Sequence, residues 1–465
     1  MKMISQILNI LNVIFGALFI ICYAYQIVFL VISLVKKTKK YPETENKHKY
    51  AFIISARNEE NVISQLCDSI KAQDYPEELI EIYVVADNCT DNTALVAKQH
   101  GAQVYERHNT ELIGKGYALS ELFEHIKNTV GFDAFDGYIV VDSDNILDKN
   151  YVCEMNKCFD TGARLITSYR NSKNYGDNWI SAGYSLWFLR ESRQLNAVRT
   201  ELGTTCEIHG TGFLISKEII KRQGGWIHHL MIEDVQFTVE NVLAGEKAVY
   251  CHDAILYDEQ PTSPIASWWQ RIRWCRGYLQ ILRHYGIKLT RAFFKGRGFS
   301  NFDMIMSMCP AFFITVIAVA VNILAIILTL IFDIQAFLPT LIASLILVAQ
   351  AYLIFALIGF ITIATEWKRI HTSTFKKILS GITFPVFMAT YIPIAAASFF
   401  AKSGKWKPIK HNPVSENVEL EFEDKKSDGE TEKDEKSVGM TEKEESCVAD
   451  KTEKEESEDN FSVKK

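Results

Sequence analysis

The sequence predicts an α/β domain with a largely parallel sheet, set between membrane-spanning helices. Three observations carry that expectation. Between Tyr50 and Asp258, short β-branched or aromatic runs alternate with longer helical stretches, the pattern of strands joined by helical crossovers. Apolar blocks from Ile4 to Val35 and from Phe302 to Phe400 exceed the run of about 18 residues that reads as a bilayer span. Three strand-like runs end in acidic or amide clusters, the place where open parallel sheets hold their ligands.

Taken in order, residues 1–36 form an N-terminal transmembrane helix. Their apolar run is far longer than a signal-peptide core of ~7–15 residues, and no small-x-small cleavage site follows it. Lys36, Lys37, Lys39 and Lys40 come next, so the positive-inside rule places the domain at 37–263 in the cytoplasm of a multi-pass cell-membrane protein. Ala51-Phe-Ile-Ile-Ser55, Ile80-Glu-Ile-Tyr-Val-Val-Ala86 and Gly137-Tyr-Ile-Val-Val141 are its clearest strands. Residues 264–300 interleave tryptophan with basic residues (Trp268, Trp269, Arg271, Arg273, Trp274, Arg276), which suits amphipathic helices at the headgroup level. Residues 301–401 hold about three hydrophobic segments, broken near Asp333 and again at Glu366-Trp367-Lys368-Arg369. From 414 to 465 Thr-Glu-Lys units recur almost without large apolar residues. Such a tail cannot bury enough surface to fold, and is expected to be disordered, acidic and open to an accessory protein.

Bulk properties exclude little else. The formal net charge of -6 gives no sign of nucleic acid as a partner. The ten cysteines show no C-x-x-C pair and no ligand-like spacing with histidine, as expected of reduced, buried thiols in a cytoplasmic domain.

Four motifs carry chemistry. Asp142 and Asp144 flank one serine after a strand, and alternate positions of an extended segment point the same way. Two such carboxylates can share a hard divalent cation with a diphosphate; the competing reading is an ordinary turn. Glu233-Asp234 lies in an apolar setting, which would raise a carboxylate's pKa and suit it to take a proton from a hydroxyl. The alternative there is a helix N-terminus with an acidic cap. A metal centre from His228, His229 and Glu233 is disfavoured, because adjacent histidines project in different directions. Gln270, Arg271, Arg273 and Trp274 would cover one broad helical face, with guanidinium forks for phosphate and an indole for a sugar ring. A lipid-anchoring belt competes with that reading, and fits Trp268 and Trp269 better than Trp274. Gly114-Lys115-Gly116 offers backbone approach and a point charge without P-loop spacing. Gly210-x-Gly212, after His209, likewise allows a ligand to come close.

With these motifs the chain resembles the membrane-embedded, inverting family-2 glycosyltransferases that include cellulose, chitin-oligosaccharide and hyaluronan synthases. The resemblance runs from about Ala51 to His411 and is most specific at Asp-x-Asp, Glu-Asp and Gln-x-x-Arg-Trp. It implies a GT-A-type, Rossmann-like fold, with Ala56, Arg57, Glu59 and Asp87 around the uridine and Lys115 near the nucleotide. It further implies Mg²⁺ or Mn²⁺ on Asp142 and Asp144, with Asp142 also facing the donor, and Asp234 as catalytic base. Gln270, Arg271, Arg273 and Trp274, with Glu233, His209 and Gly210, would bind pyrophosphate and acceptor. Two departures stand out. The family's Asp-Asp-Gly is Ala86-Asp87-Asn88 here, and at 402–413 Trp406-Lys-Pro-Ile-Lys-His411 only partly matches the family's gating segment. The expected activity is extension of a β-linked polysaccharide from a UDP-hexose or UDP-N-acetylhexosamine, with export through the membrane helices. Single transfer to a membrane lipid is the nearest rival, and a non-catalytic scaffold or transporter with an acidic interaction tail is the rival of another class. Apart from Asp333 the apolar segments hold hardly any charge, which disfavours an ion pathway.

Overall fold

The structure, a computed structural model, describes residues 2–296, 298–308 and 310–401. The expected gating segment at 402–413 and the acidic tail at 414–465 lie outside the described residues.

The described residues hold an eight-stranded sheet of β1 (Tyr50–Ala56), β2 (Ile80–Asp87), β3 (Gln103–Arg107), β4 (Gly137–Asp142), β5 (Ile146–Leu147), β6 (Leu165–Ser172), β7 (Phe213–Ser216) and β8 (Ala248–Asp258). Their order is β3-β2-β1-β4-β7-β6-β8-β5. β3, β2, β1 and β4 are parallel, as the alternation of runs predicts. β7 then enters antiparallel to both β4 and β6, so the sheet is mixed rather than largely parallel. The reversal follows from a tight turn: Gly212 has φ +70°, and a Cβ there would lie 2.0 Å from Leu256 Cδ2. Only glycine lets the chain turn under β8 in this way.

Both faces of the sheet are covered, and the strand sequences show it. Ala51 and Ile53 of β1 face Leu119, Leu122, Phe123 and Ile126 of the helix Lys115–Thr129. Tyr50, Phe52 and Ile54 face Leu66 and Ile70 on Ile63–Lys71 and Met155 on Tyr151–Asp160. Period-2 alternation thus feeds two apolar layers, each fully buried Leu, Ile or Phe contributing about 1.5–3 kcal/mol.

Among the described residues, four helical stretches are long and apolar enough to cross a membrane: Gln6–Val35, Phe313–Phe332, Ile334–Thr365 and Thr374–Phe400. The last is two helices, Thr374–Ala389 and Tyr391–Phe400, with half of its most apolar window buried in protein. The expected breaks are real. Asp333 caps the helix that follows it, and the segment after Thr365 turns back onto the sheet. There Glu366 accepts from Tyr169 Oη at 2.6 Å, Arg369 lies 4.2 Å over the Tyr169 ring, and Arg369 Nη1 donates to His252 O at 3.1 Å.

A second seam joins the helix Trp179–Arg190 to Thr374–Ala389. A Cβ on Gly183 would sit 2.3 Å from Phe387 Cγ, so this contact needs a bare backbone. Gly183→Ala should therefore displace the Phe387 ring and cost about 1–3 kcal/mol. Thermal melts of the detergent-solubilised protein check this against Gly16→Ala, whose Cβ would meet nothing within 4 Å and which should melt like the parent.

Candidate functional site

The parallel register brings the carboxyl ends of β1, β2 and β4 side by side, and the loops beyond them are knitted together. Asn58 and Asn88 occupy the left-handed region at φ 59° and 52°, where asparagine is tolerated better than most residues. Asn58 Oδ1 then accepts from Thr90 N at 2.8 Å, and Thr93 Oγ1 accepts from Glu59 N at 2.8 Å. Arg57, Glu59 and Asp87 line a cavity here. Ala56 is buried in the β1–β2 ladder opposite Ala86 and can offer only backbone. Buried Arg107 donates to Asp87 Oδ1 at 2.6 Å, and Asn88 Nδ2 donates to the same oxygen at 2.9 Å. The amide that stands where the family has glycine thus helps to hold Asp87 in place.

Deeper in the cavity, Lys115, Asp142, Gly210 and Asp234 form one bracket. Lys115 Nζ donates to Asp142 Oδ1 at 2.5 Å and to Gly210 O at 2.7 Å; Gly210 N donates to Asp234 Oδ2 at 2.5 Å. A Cβ on Gly210, at φ +71°, would lie 3.9 Å from Asp142 Oδ2 and 4.0 Å from Asp234 Oδ2. Glu233 and Asp234 open the helix Glu233–Leu243, whose N-terminal dipole favours their ionised forms. Burial nevertheless lifts Glu233 to about 7; Lys115 opposes the rise and Asp234 adds to it. The raised carboxylate expected of this motif is therefore Glu233, next to the base candidate. Burial would lower the Lys115 pKa, but Asp142, Glu233 and Asp234 outweigh it and hold the ammonium above its usual value.

Asp144 also lines the cavity, though by a different route from the one expected. β4 ends at Asp142, and Ser143 and Asp144 form a turn closed by Asn145 N donating to Asp142 O at 3.1 Å. A turn, not strand pleating, puts both carboxylates on the cavity wall. As paired hard oxygen donors open to one cavity, they fit a divalent cation. The sequence reading missed the residues beneath them. Asn145 Nδ2 donates to Asp258 Oδ1 at 2.9 Å, Arg170 Nε donates to Asp258 Oδ2 at 2.9 Å, and Thr211 Oγ1 bonds Asn145 and accepts from Asp142 N.

On the helix Pro264–Phe294, three of the four motif residues reach the cavity. Gln270, Arg273 and Trp274 line it, whereas Arg271 does not. Spacings of three and four share a helical face, while Arg271 is turned about 100° from Gln270. It is buried, donates to Thr390 Oγ1 at 2.6 Å, and lies 4.6 Å over Phe387 and 4.8 Å over Tyr391. In this position it clamps two helices together. Arg273 makes no hydrogen bond or ion pair among the described residues, and Gln270 Oε1 is buried without a partner. Trp274 is braced edge-on by Tyr184 at 5.7 Å and Phe188 at 6.2 Å. His209 Nε2 lies 3.5 Å from Glu191 and 3.8 Å from Glu207. Burial opposes its protonation, but these carboxylates lift its pKa to about 8. His228, by contrast, is buried against Glu240.

The cavity measures about 2740 Å³ and extends from the strand ends to the apolar helices. A small-molecule pocket takes roughly 300–1,000 Å³, so donor and acceptor fit together.

Two predictions follow from this geometry. Because Glu233 titrates at about 7 in the fold against 4.5 as its ordinary value, the native state keeps a proton across that window which the unfolded chain has lost. Stability should fall as pH rises through it, and Glu233→Gln should flatten the slope of melting temperature against pH. Arg273→Ala should weaken UDP binding about tenfold or more by titration, without lowering the melting temperature. Arg271→Ala should do the reverse, costing about 2 kcal/mol or more in stability.

The family described as "Glycosyltransferase like family 2" matches residues 48–277. The chain is 26% identical over 279 residues to a beta-monoglucosyldiacylglycerol synthase of Nostoc sp., covering 58% of this chain and 57% of that protein. It is 25% identical over 265 residues to the enzyme of the same name from Synechocystis sp., covering 53% and 50%. The chain thus spans little more than half the length of these relatives. In fold it is similar to the mannosyltransferase PcManGT of Pyrobaculum calidifontis, solved with GDP-Man and Mn²⁺. The TM-score is 0.53 at 16% identity, over 84% of this chain and 99% of that one. Residues 48–277 therefore match a family-2 glycosyltransferase domain, and the mixed sheet that they build has the GT-A fold.

Proposed function

We propose that the protein transfers one sugar from a nucleotide sugar to the hydroxyl of a membrane lipid, with inversion at the anomeric carbon. One observation carries this reading. The cavity that holds Asp142 and Asp234 continues between the apolar helices, where Phe15, Phe19, Ile20, Val319, Ile323 and Leu345 line it. Such walls suit acyl chains; a hydrated polysaccharide would leave its hydroxyls without partners there. Three of the polar side chains at that depth already bond one another, Asn12 with Asn322 at 2.9 Å and Ser344 with Asn322 at 3.1 Å. The names of the relatives point the same way. Lipid transfer therefore takes the place of the expected polysaccharide extension and export.

In this reading Arg57, Glu59 and Asp87 receive the nucleoside at the ends of β1 and β2. Asp234, oriented by Gly210 N, takes the proton of the acceptor hydroxyl as its oxygen bonds to the anomeric carbon. The bond to the nucleoside diphosphate breaks on the opposite side, and Lys115 and Arg273 meet the departing charge. Asp142 and Asp144 would hold Mg²⁺ or Mn²⁺, which would supply further neutralisation of the diphosphate. An α-linked donor gives a β-linked product. The lysines after Val35 support a cytoplasmic catalytic domain in a multi-pass cell-membrane protein.

The test is reconstitution in vesicles with nucleotide sugar, Mn²⁺ and a diacyl lipid acceptor, with mass analysis of the products. A lipid bearing one sugar is expected, and a long polysaccharide would overturn the proposal. In the same assay Asp234→Asn should cut turnover by about 10²-fold or more while nucleotide binding persists. Asp144→Ala should remove the tightening of UDP binding by Mn²⁺.

A further inference from the structure

A second cluster opens on the same cavity, beside the bracket and toward the membrane. Glu191 starts the π-helical turn Glu191–Asn196, a local insertion found mostly at functional sites. Glu207 and His209 come from the extended segment ahead of β7. One ligand atom from each of these three residues lies within 4.8 Å of the others. All three line the cavity, as do Tyr23 and Gln26 of the first apolar helix. Glu207 is 2% exposed, and its Oε1 is buried without a hydrogen-bond partner among the described residues. A desolvated carboxylate oxygen with no donor is rare in a folded protein and calls for an explanation.

The surroundings decide what the cluster can take. Arg199 is already saturated: it donates to Glu191 at 2.6 Å, to Asp303 at 2.8 Å and to Asn196 at 3.0 Å. That guanidinium already pairs with Glu191, so a divalent cation in the cluster would sit beside a fixed positive charge. Arg190 is turned aside, donating to Gln26 Oε1 at 2.7 Å. What the cluster leaves unfilled is an acceptor, Glu207 Oε1, and a ring nitrogen, His209 Nε2. A hydroxyl donates to the first and accepts from the second; an ionised phosphate has no proton to give Glu207 and sets its charge against the carboxylates of Glu191 and Glu207.

We infer that Glu191, Glu207 and His209 form the acceptor-headgroup site, which takes an uncharged, hydroxyl-bearing lipid by accepting its O–H at Glu207. The inference rests on the lipid-transfer reading and narrows it to neutral headgroups. Gly210, the residue after His209, is bonded to Asp234, so a headgroup held here lies beside the proposed base.

The full chain is tested in phosphatidylcholine vesicles with UDP-glucose and Mn²⁺, containing either diacylglycerol or a polyprenyl phosphate. Glycosylation of diacylglycerol alone is expected. Glu207→Gln should raise the KM for diacylglycerol about tenfold or more while the Kd for UDP stays within about two-fold. Glycosylation of polyprenyl phosphate, or an unchanged KM in the variant, overturns the inference and leaves lipid transfer standing. Polysaccharide with no glycolipid from either vesicle overturns lipid transfer itself. A second Mn²⁺ bound per chain and lost in Glu207→Gln would make the cluster a metal site and also overturn the inference. Should the variant fail to bind UDP, the wild-type choice between the two lipids still decides.

Discussion

The site depends on a single residue, Gly210. Its carbonyl accepts from the Lys115 ammonium and its N–H donates to the Asp234 carboxylate, so two peptide planes that meet at one Cα hold a cation and an anion from two different helices. Each plane is rigid, and the spacing of those charges turns on the backbone angles of Gly210, whose φ is +71°. Side chains alone would set it only loosely. The positive φ that allows this also leaves open space beside Asp142 and Asp234 where a Cβ would otherwise stand.

A second requirement is that the catalytic domain keep its place against the apolar helices, and buried polar contacts do this at two points. Arg199, fully buried, is shared by Glu191 of the π turn and Asp303 of the helix Phe299–Met308; Asp303 in turn accepts from Tyr25 Oη at 2.7 Å. Charges buried in this way add little net stability, and removing one partner is costly because the other is stranded. Such an arrangement specifies position more than it stabilises.

Much of this was legible in the sequence. β1, β2 and β4 announced themselves because strands buried on both faces are continuous apolar runs, and each ended at a polar cluster that does line the cavity. The apolar helices and the breaks at Asp333 and Glu366 were plain from hydropathy. What escaped has physical reasons. β7 is four residues long and its reversal depends on Gly212 packing under Leu256, a contact distant in sequence. Arg271 sits inside a convincing motif, but helical geometry turns it away from its neighbours. Asp144 reaches the cavity through a turn whose closure by Asn145 no spacing rule reveals. The π turn at Glu191 leaves no mark in composition, so nothing in the sequence singled out Glu191 or Glu207.

The segment after Thr365 carries one more implication. It fastens the apolar helices to Tyr169 of β6 and His252 of β8, and β8 runs on to Asp258, which steadies Arg170 and Asn145 beneath the Asp142–Asp144 turn. A strand held at its middle by the apolar helices and at its end by the Asp142–Asp144 turn behaves as a strut, and it fixes the distance between them. On the lipid-transfer reading proposed above, an acceptor would have to present its reactive oxygen at that distance, as against a ruler.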